Sequence, residues 1–132
     1  MSIASVTLVL FLESSNQSFN GRMGVASVIW NQARHDPLKL EQIVTDRNLF
    51  PSLPGGRQAQ KRELNPEKMN STDRSVWLVC EHIAARMMDG KFTPWIRANH
   101  YHVNDGKLRQ WTKGMQVVKV IGDHVFLWED KV

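Results

Sequence analysis

Asn99-His100-Tyr101-His102-Val103, followed by Asn104-Asp105-Gly106, is the stretch at which the chain changes period. Upstream of Pro94, apolar residues recur at helical spacing, whereas here the pattern alternates as in a strand. The Asn-Asp-Gly run tolerates the positive φ of a tight turn, so a strand entering a turn is predicted. Downstream, Gln116 to Ile121, then Gly122-Asp123, then His124 to Trp128 reads as a hairpin. Immediately upstream, Ser71 or Thr72 is placed to cap a strong helix. Its Val76, Trp77, Val79, Cys80, Ile83, Ala84, Met87 and Met88 share one face, and Gly90 stops it. Helices first and a small antiparallel sheet near the C-terminus make the predicted class α+β, mainly helical.

Further upstream the helical reading continues. Asp36-Pro37 is an N-cap and first helical residue for a short helix through Leu38, Leu40, Ile43 and Val44. A helix starting at Asn20 or Gly21 carries Met23, Val25, Ala26, Val28, Ile29 and Ala33, then two successive amides, Asn31 and Gln32, which suggest a polar edge facing a cleft. Ser2 is a candidate cap for a first helix whose apolar run, Val6-Thr7-Leu8-Val9-Leu10-Phe11-Leu12, closes on the first acid of the chain, Glu13. Between these helices and the strong one, Asn48 to Gln58 is a Pro- and Gly-rich loop with one aromatic, Phe50. Gln58 to Asn70 is a polar stretch broken at Asn65-Pro66, read as surface helix or loop.

With 132 residues and 42% hydrophobic content the chain is expected to form a single domain over 1–132, and the absence of repeats and low-complexity tracts argues against solenoid and disordered classes. Seventeen Lys+Arg against 13 Asp+Glu give a net charge of +4, which favours an anionic partner such as nucleic acid, acidic lipid or a bacterial wall. The single cysteine, Cys80, excludes an internal disulfide and falls on an apolar face, where a buried, inert thiol is expected. Ile3 to Leu12 is too short to span a bilayer and lacks a basic leader and a cleavage site, so it is read as a core helix, with no stable membrane insertion.

Three chemistries compete for the polar residues. His100 and His102, two apart on a strand, point to one face, and His124 on a later strand can supply a third imidazole for zinc, as in a metal-dependent peptidase or amidase. Trp111 and Tyr101 beside Lys107, Arg109 and Lys113 suit a stacking platform, for the bases of a nucleic acid or the rings of a sugar. Glycoside cleavage needs a protonated carboxyl beside the scissile oxygen. Glu13 stands where a buried helix leaves the core, and partial desolvation disfavours the charged form of a carboxyl, the condition a general acid needs.

The ordered set of these features resembles the cell wall hydrolases related to spore cortex-lytic enzymes. Leu12-Glu13-Ser14 resembles the family's apolar helix ending in a Glu, and Phe19-Asn20-Gly21 through Asn31-Gln32 its Gly-led second helix. Asn48-Leu49-Phe50 is similar to its Q-F loop. His100-Tyr101-His102, Trp111 and Ile121-Gly122-Asp123-His124-Val125-Phe126 follow in the family's order. Departures are Gln17 where a second acid is usual, Gln32 for an Arg and Gln110 for a Pro.

The resemblance implies a lysozyme-like fold and cleavage of peptidoglycan glycan strands, with Glu13 as catalytic acid and then base. Ser14, Asn31, Phe50, Tyr101, His102, Trp111 and His124 are the implied substrate-binding residues, with no metal and no cofactor. Glu13-Ser14 is also similar to the Glu-Ser pair of lytic transglycosylases, in which the hydroxyl steadies the carboxyl. With Gln17 neutral, a lytic transglycosylase is favoured over a hydrolase. The expected partner is peptidoglycan rather than nucleic acid, the expected state a monomer, and the expected setting a phage lysin. Such a lysin is made in the cytoplasm without a signal peptide and acts at the host wall, or is carried in the virion. A wall- or nucleic-acid-binding module without catalysis is the alternative outside the enzymes.

Overall fold

The computed structural model describes residues 3–46 and 65–130. Helix α1 (Ile3–Ser14) is followed by α2 (Phe19–Gln32), a 3₁₀ turn (Pro37–Lys39) leading into the short α3 (Leu40–Val44), and α4 (Ser71–Met88). Strands β1 (His100–Val103), β2 (Gln116–Ile121) and β3 (His124–Trp128) then form one antiparallel sheet in the order β1-β3-β2. The α+β class and the late sheet are as the sequence predicts.

Helix α1 is apolar around most of its circumference and is buried, with Val6, Thr7, Val9, Leu10, Phe11 and Ser14 all inside. It lies among α2, α3 and α4, and Phe11 meets Trp77 of α4 edge to face at 5.3 Å. Leu10, Ile29, Leu40 and Met87 are among the fully buried side chains, each stabilising the fold by roughly 1.5–3 kcal/mol relative to exposure. No described helix is long and apolar enough to cross a membrane.

The caps shift by one or two residues from their expected places. Ser18 caps α2 by accepting from the Gly21 amide at 3.1 Å, so α2 starts at Phe19. Asn70 caps α4 by accepting from the Asp73 amide at 2.8 Å, in place of Ser71 or Thr72. In both cases the side chain one position before the first helical residue reaches back to an orphan amide. Asp36 caps the Pro37 turn as expected, accepting from Leu38 at 2.9 Å. Of the polar stretch read as helix or loop, Pro66–Lys68 forms a 3₁₀ turn capped by Asn65. Ser2, Phe50, the whole of Asn48 to Gln58 and residues 58–64 of the polar stretch lie outside the described residues.

Helix α2 holds the sheet in two ways. Near its N-terminal end it packs directly against β3, where Gly24 leaves room for the Phe126 ring: a Cβ on residue 24 would lie 2.6 Å from Phe126 Cζ. Toward its C-terminal end, polar side chains clasp the segment that leads into β1. The Trp95 amide donates to Ser27 Oγ at 2.8 Å, Asn31 Nδ2 donates to the carbonyls of Ile96 (3.2 Å) and Ala98 (2.9 Å), and Gln32 Nε2 donates to the Asn99 carbonyl.

One long-range pairing differs from expectation. The sequence suggests that His100–Val103 turns back on itself to bring Trp111 alongside. Instead β1 pairs with β3 in the register His100↔Leu127, Tyr101↔Phe126, His102↔Val125 and Val103↔His124, and Trp111 sits on a 3₁₀ turn, Gln110–Thr112. The predicted β2–β3 hairpin forms around Gly122-Asp123 with the expected limits. Asp105 and Arg109 shape the loop after β1 through a bidentate pair with distances of 2.9 and 3.0 Å, and this pair holds the Asp105 carboxyl well below the usual carboxylate range.

Candidate functional site

Glu13 occupies the penultimate position of α1, partly buried, where the chain turns toward α2. That turn is held from three sides. Arg22, buried in the first turns of α2, donates from Nη2 to the carbonyls of Gln17 (2.9 Å) and Ser14 (3.4 Å). Gln17 spans to the β2–β3 turn, donating from Nε2 to Asp123 Oδ2 at 3.0 Å and accepting from the Asp123 amide at 3.2 Å. Gly122 has φ +56, which favours glycine, and a Cβ there would stand 2.8 Å from Gln17 Oε1 and push the Gln17 amide off the turn. Helix α1 and the hairpin, distant in sequence, are thereby fixed relative to one another.

On this frame the Tyr101 hydroxyl donates a hydrogen bond to Glu13 Oε1, across 88 residues of sequence. Burial pushes the Tyr101 hydroxyl well above the ordinary tyrosine range, and the adjacent Glu13 charge and hydrogen bond push it in the same direction, so it stays a donor. Register explains the pairing. Tyr101, Phe126, Val103 and His124 lie opposite one another on the sheet face turned toward the helices. The His124 ring meets Tyr101 edge to face at 4.8 Å and Phe126 at 5.9 Å, and His124 is only 6% exposed. Its Nδ1 is buried with no hydrogen-bond partner among the described residues. Burial lowers the His124 pKa, the charges of Glu13 and Asp123 oppose that shift, and His102 adds to it, so the ring is neutral at neutral pH.

The other expected site residues are placed elsewhere. His102 alternates to the opposite sheet face from Tyr101 and is grouped with His100 and Trp111, their rings 5.9 and 6.0 Å from the indole. Trp111 is 49% exposed. Tyr101 and His102 therefore do not line one wall, because adjacent strand residues face opposite ways. The same alternation divides the three histidines of the zinc reading: His100 and His102 share a face and His124 is on the other. Among the described residues no three His, Cys, Asp or Glu side chains are grouped to hold a metal ion. Ser14 is fully buried and its hydroxyl donates to the Leu10 carbonyl at 2.6 Å, a bond within α1 in place of one to the Glu13 carboxyl. Asn31 is committed to the Ile96 and Ala98 carbonyls through Nδ2, and its Oδ1 accepts from His35 Nε2 at 2.8 Å. It lies near the far end of α2, about 15 Å from Gly21 by helical rise. Cys80 is buried as expected, its thiol pushed up to about 12 by burial.

Sequence reading missed Arg22 and Asp123. The signal for Arg22 is a lone cation within an apolar helix; for Asp123 it is a carboxyl beside the hairpin glycine, whose partner Gln17 is distant in the chain.

Comparison with protein families matches residues 16–127, most of the chain, to the cell wall hydrolase family. The match begins just beyond Glu13 and includes Tyr101, Asp123 and His124. Comparisons with curated proteins and with solved structures returned no significant match. The match takes in α2, α3, α4 and nearly all of the sheet that carries Tyr101, and the chain belongs to the cell wall hydrolase family, an enzyme family of the cell wall.

Proposed function

We propose that the protein cleaves the glycan strand of peptidoglycan, with Glu13 as general acid and then base, and that it acts as a lytic transglycosylase. The observation that supports this reading is the hydrogen bond from the buried Tyr101 hydroxyl to Glu13, which fixes one carboxyl oxygen and leaves the other for substrate. Protonated Glu13 donates its proton to the glycosidic oxygen, the bond from that oxygen to the anomeric carbon breaks, and positive charge develops on the sugar. A hydroxyl of the same sugar then attacks the anomeric carbon and passes its proton to the Glu13 carboxylate, which restores the acid. Gln17, held on Asp123, is neutral and takes no proton at the operating pH.

One observation favours a second reading. Asp123 precedes His124 in the chain and its charge acts on that ring together with Glu13, so a second carboxylate is coupled to the same histidine. In a hydrolase it would activate water. In both readings Glu13→Gln keeps the fold and reduces wall lysis by roughly 10²–10⁴-fold, the usual contribution of general acid catalysis. Retained lysis would sink the glycosidase assignment. Mass spectrometry of the released fragments separates the outcomes: anhydromuramic ends for a transglycosylase, reducing ends for a hydrolase, and cut stem peptides for a peptidase. Loss of activity in Asp123→Asn together with reducing ends would select the hydrolase.

A further inference from the structure

A second concave surface lies at the opposite end of α2 from Glu13. It is a cleft of about 830 Å³ between the end of α2, the 94–99 segment and the start of the C-terminal tail. This volume is within the range of sites that enclose a small ligand. Its floor is polar and rigid. Asn31 and Gln32 are spent on the carbonyls of Ile96, Ala98 and Asn99, and Asn99 in turn exchanges hydrogen bonds of 2.8 Å with the backbone of Glu129.

The walls carry the recognition chemistry. Arg97 and Arg34 line the cleft, and both are exposed. The Arg97 guanidinium lies 4.2 Å from the centroid of the Trp128 ring, a stacking that holds its plane while its edge donors remain able to form a fork. Trp128 is itself held by a 2.6 Å bond from Nε1 to Asp130. Glu129, the acid of the cleft, is 3.5 Å from His100 Nε2, so its charge is directed to the sheet side. The Arg97 guanidinium thus stands over apolar indole surface, Arg34 adds a second cation to the lining, and Trp95 forms a further, half-exposed wall.

The backbone that presents Arg34 is strained. Helix α2 ends with the Arg34 amide on Asn31 O and the His35 amide on Trp30 O, both at 3.0 Å, the bonding pattern that ordinarily places glycine at the first position beyond the cap. Here Arg34 has φ 54 and His35 φ 59. His35 is locked there by stacking on Trp30, with centroids 5.5 Å apart and planes 9° apart. A left-handed arginine at the mouth of a basic cleft is retained against its conformational preference.

We propose that this cleft is a second binding site, for the carboxylates of the acidic peptide stems that the wall glycan carries. The proposal rests on the reading of the glycan as substrate. Arg34 and Arg97 pair with the stem carboxylates and the indoles cover the apolar parts of the stem, so the cleft selects strands that still bear peptides and feeds them to the distant Glu13 end of α2.

The test uses the full chain and a synthetic acidic tripeptide with free side-chain and terminal carboxylates, beside its fully amidated counterpart. Binding is read from the Nε1–H resonances of Trp95 and Trp128. The acidic peptide is expected to shift both, the amidated one neither, and the Arg34→Ala/Arg97→Ala double variant to bind the acidic peptide at least tenfold more weakly. Lysis of peptide-free glycan by that variant is expected to be unchanged. Equal binding of the amidated peptide, unaltered binding by the double variant, or shifts confined to Trp111 would overturn the proposal. Displacement by inorganic phosphate at equal concentration would reduce the cleft to a general anion site and overturn the stem assignment. Because the assay does not require Glu13, it can fail while the Glu13→Gln result stands, and the reverse.

Discussion

The two ends of α2 are built in opposite ways. At the N-terminal end, side chains from α1, β1 and β3 close on one another: Tyr101 donates to Glu13, His124 and Phe126 pack on Tyr101, and Gly24 lets Phe126 reach the helix. At the C-terminal end the side chains of α2 bind main-chain carbonyls, and the charged groups, Arg34 and Arg97, are exposed, Arg97 stacked on the Trp128 indole. The first arrangement fixes a single carboxyl in a largely buried setting, which suits bond making and breaking. The second fixes a backbone and exposes its charges, which suits capture of a ligand. Substitutions at the first end should alter turnover or fold stability, and those at the second should alter binding.

After Glu13→Gln, Tyr101→Phe is expected to have the largest effect. Losing the hydroxyl frees the Glu13 carboxyl to rotate and should reduce kcat for wall lysis by roughly 10–100-fold with little change in KM. Steady-state kinetics on soluble glycan checks it, and a pure KM effect would show that Tyr101 binds substrate and does not position the acid. Gly24→Ala comes next. With Phe126 only 2.6 Å from the added Cβ, α2 and β3 must separate or the ring must turn, costing about 1–3 kcal/mol in a denaturant titration and disturbing Tyr101 through the Phe126 contact.

A smaller effect comes from His124. Its folded pKa lies below the ordinary value of 6.5, so the unfolded chain binds the extra proton first. The stability it contributes is complete above about 6.5 and is lost as pH falls through the folded pKa. Melting temperatures measured downward from pH 7 should show this slope, and His124→Gln should flatten it. The smallest change is expected from Arg34→Gly, which relieves one left-handed residue and should raise stability by about 1 kcal/mol while weakening peptide capture. Opposite signs for stability and binding would sharpen the contrast between the two ends, and equal signs would break it.

Local chemistry made much of the fold legible. Asp36-Pro37 and Gly122-Asp123 read correctly because caps and turns depend on residues adjacent in sequence. The apolar run before Glu13 is a core helix for the same reason. The partner of β1 was not legible, since a strand with alternating residues pairs equally well with either of two later segments and only the closed core selects β3. That choice decides the site. Once Val103 lies opposite His124, Tyr101 must face the helices and His102 must face away, so a cluster that looks continuous in sequence is split across the sheet. The amides Asn31 and Gln32 did announce a cleft, although their bonds to Ile96, Ala98 and Asn99 depend on a segment more than 60 residues away.

The Gln17–Asp123 clamp carries a consequence for how these sequences can diverge. An amide serves both halves of that contact, donating to the Asp123 carboxylate and accepting from its amide. A glutamate at position 17 would keep the second bond and set two negative charges against each other in the first. Evolution can therefore install an acid at 17 only in step with removal of the acid at 123, so the two positions should exchange charge as a linked pair across relatives of this chain. Gln17→Glu alone should be deleterious, and Asp123→Asn should rescue it.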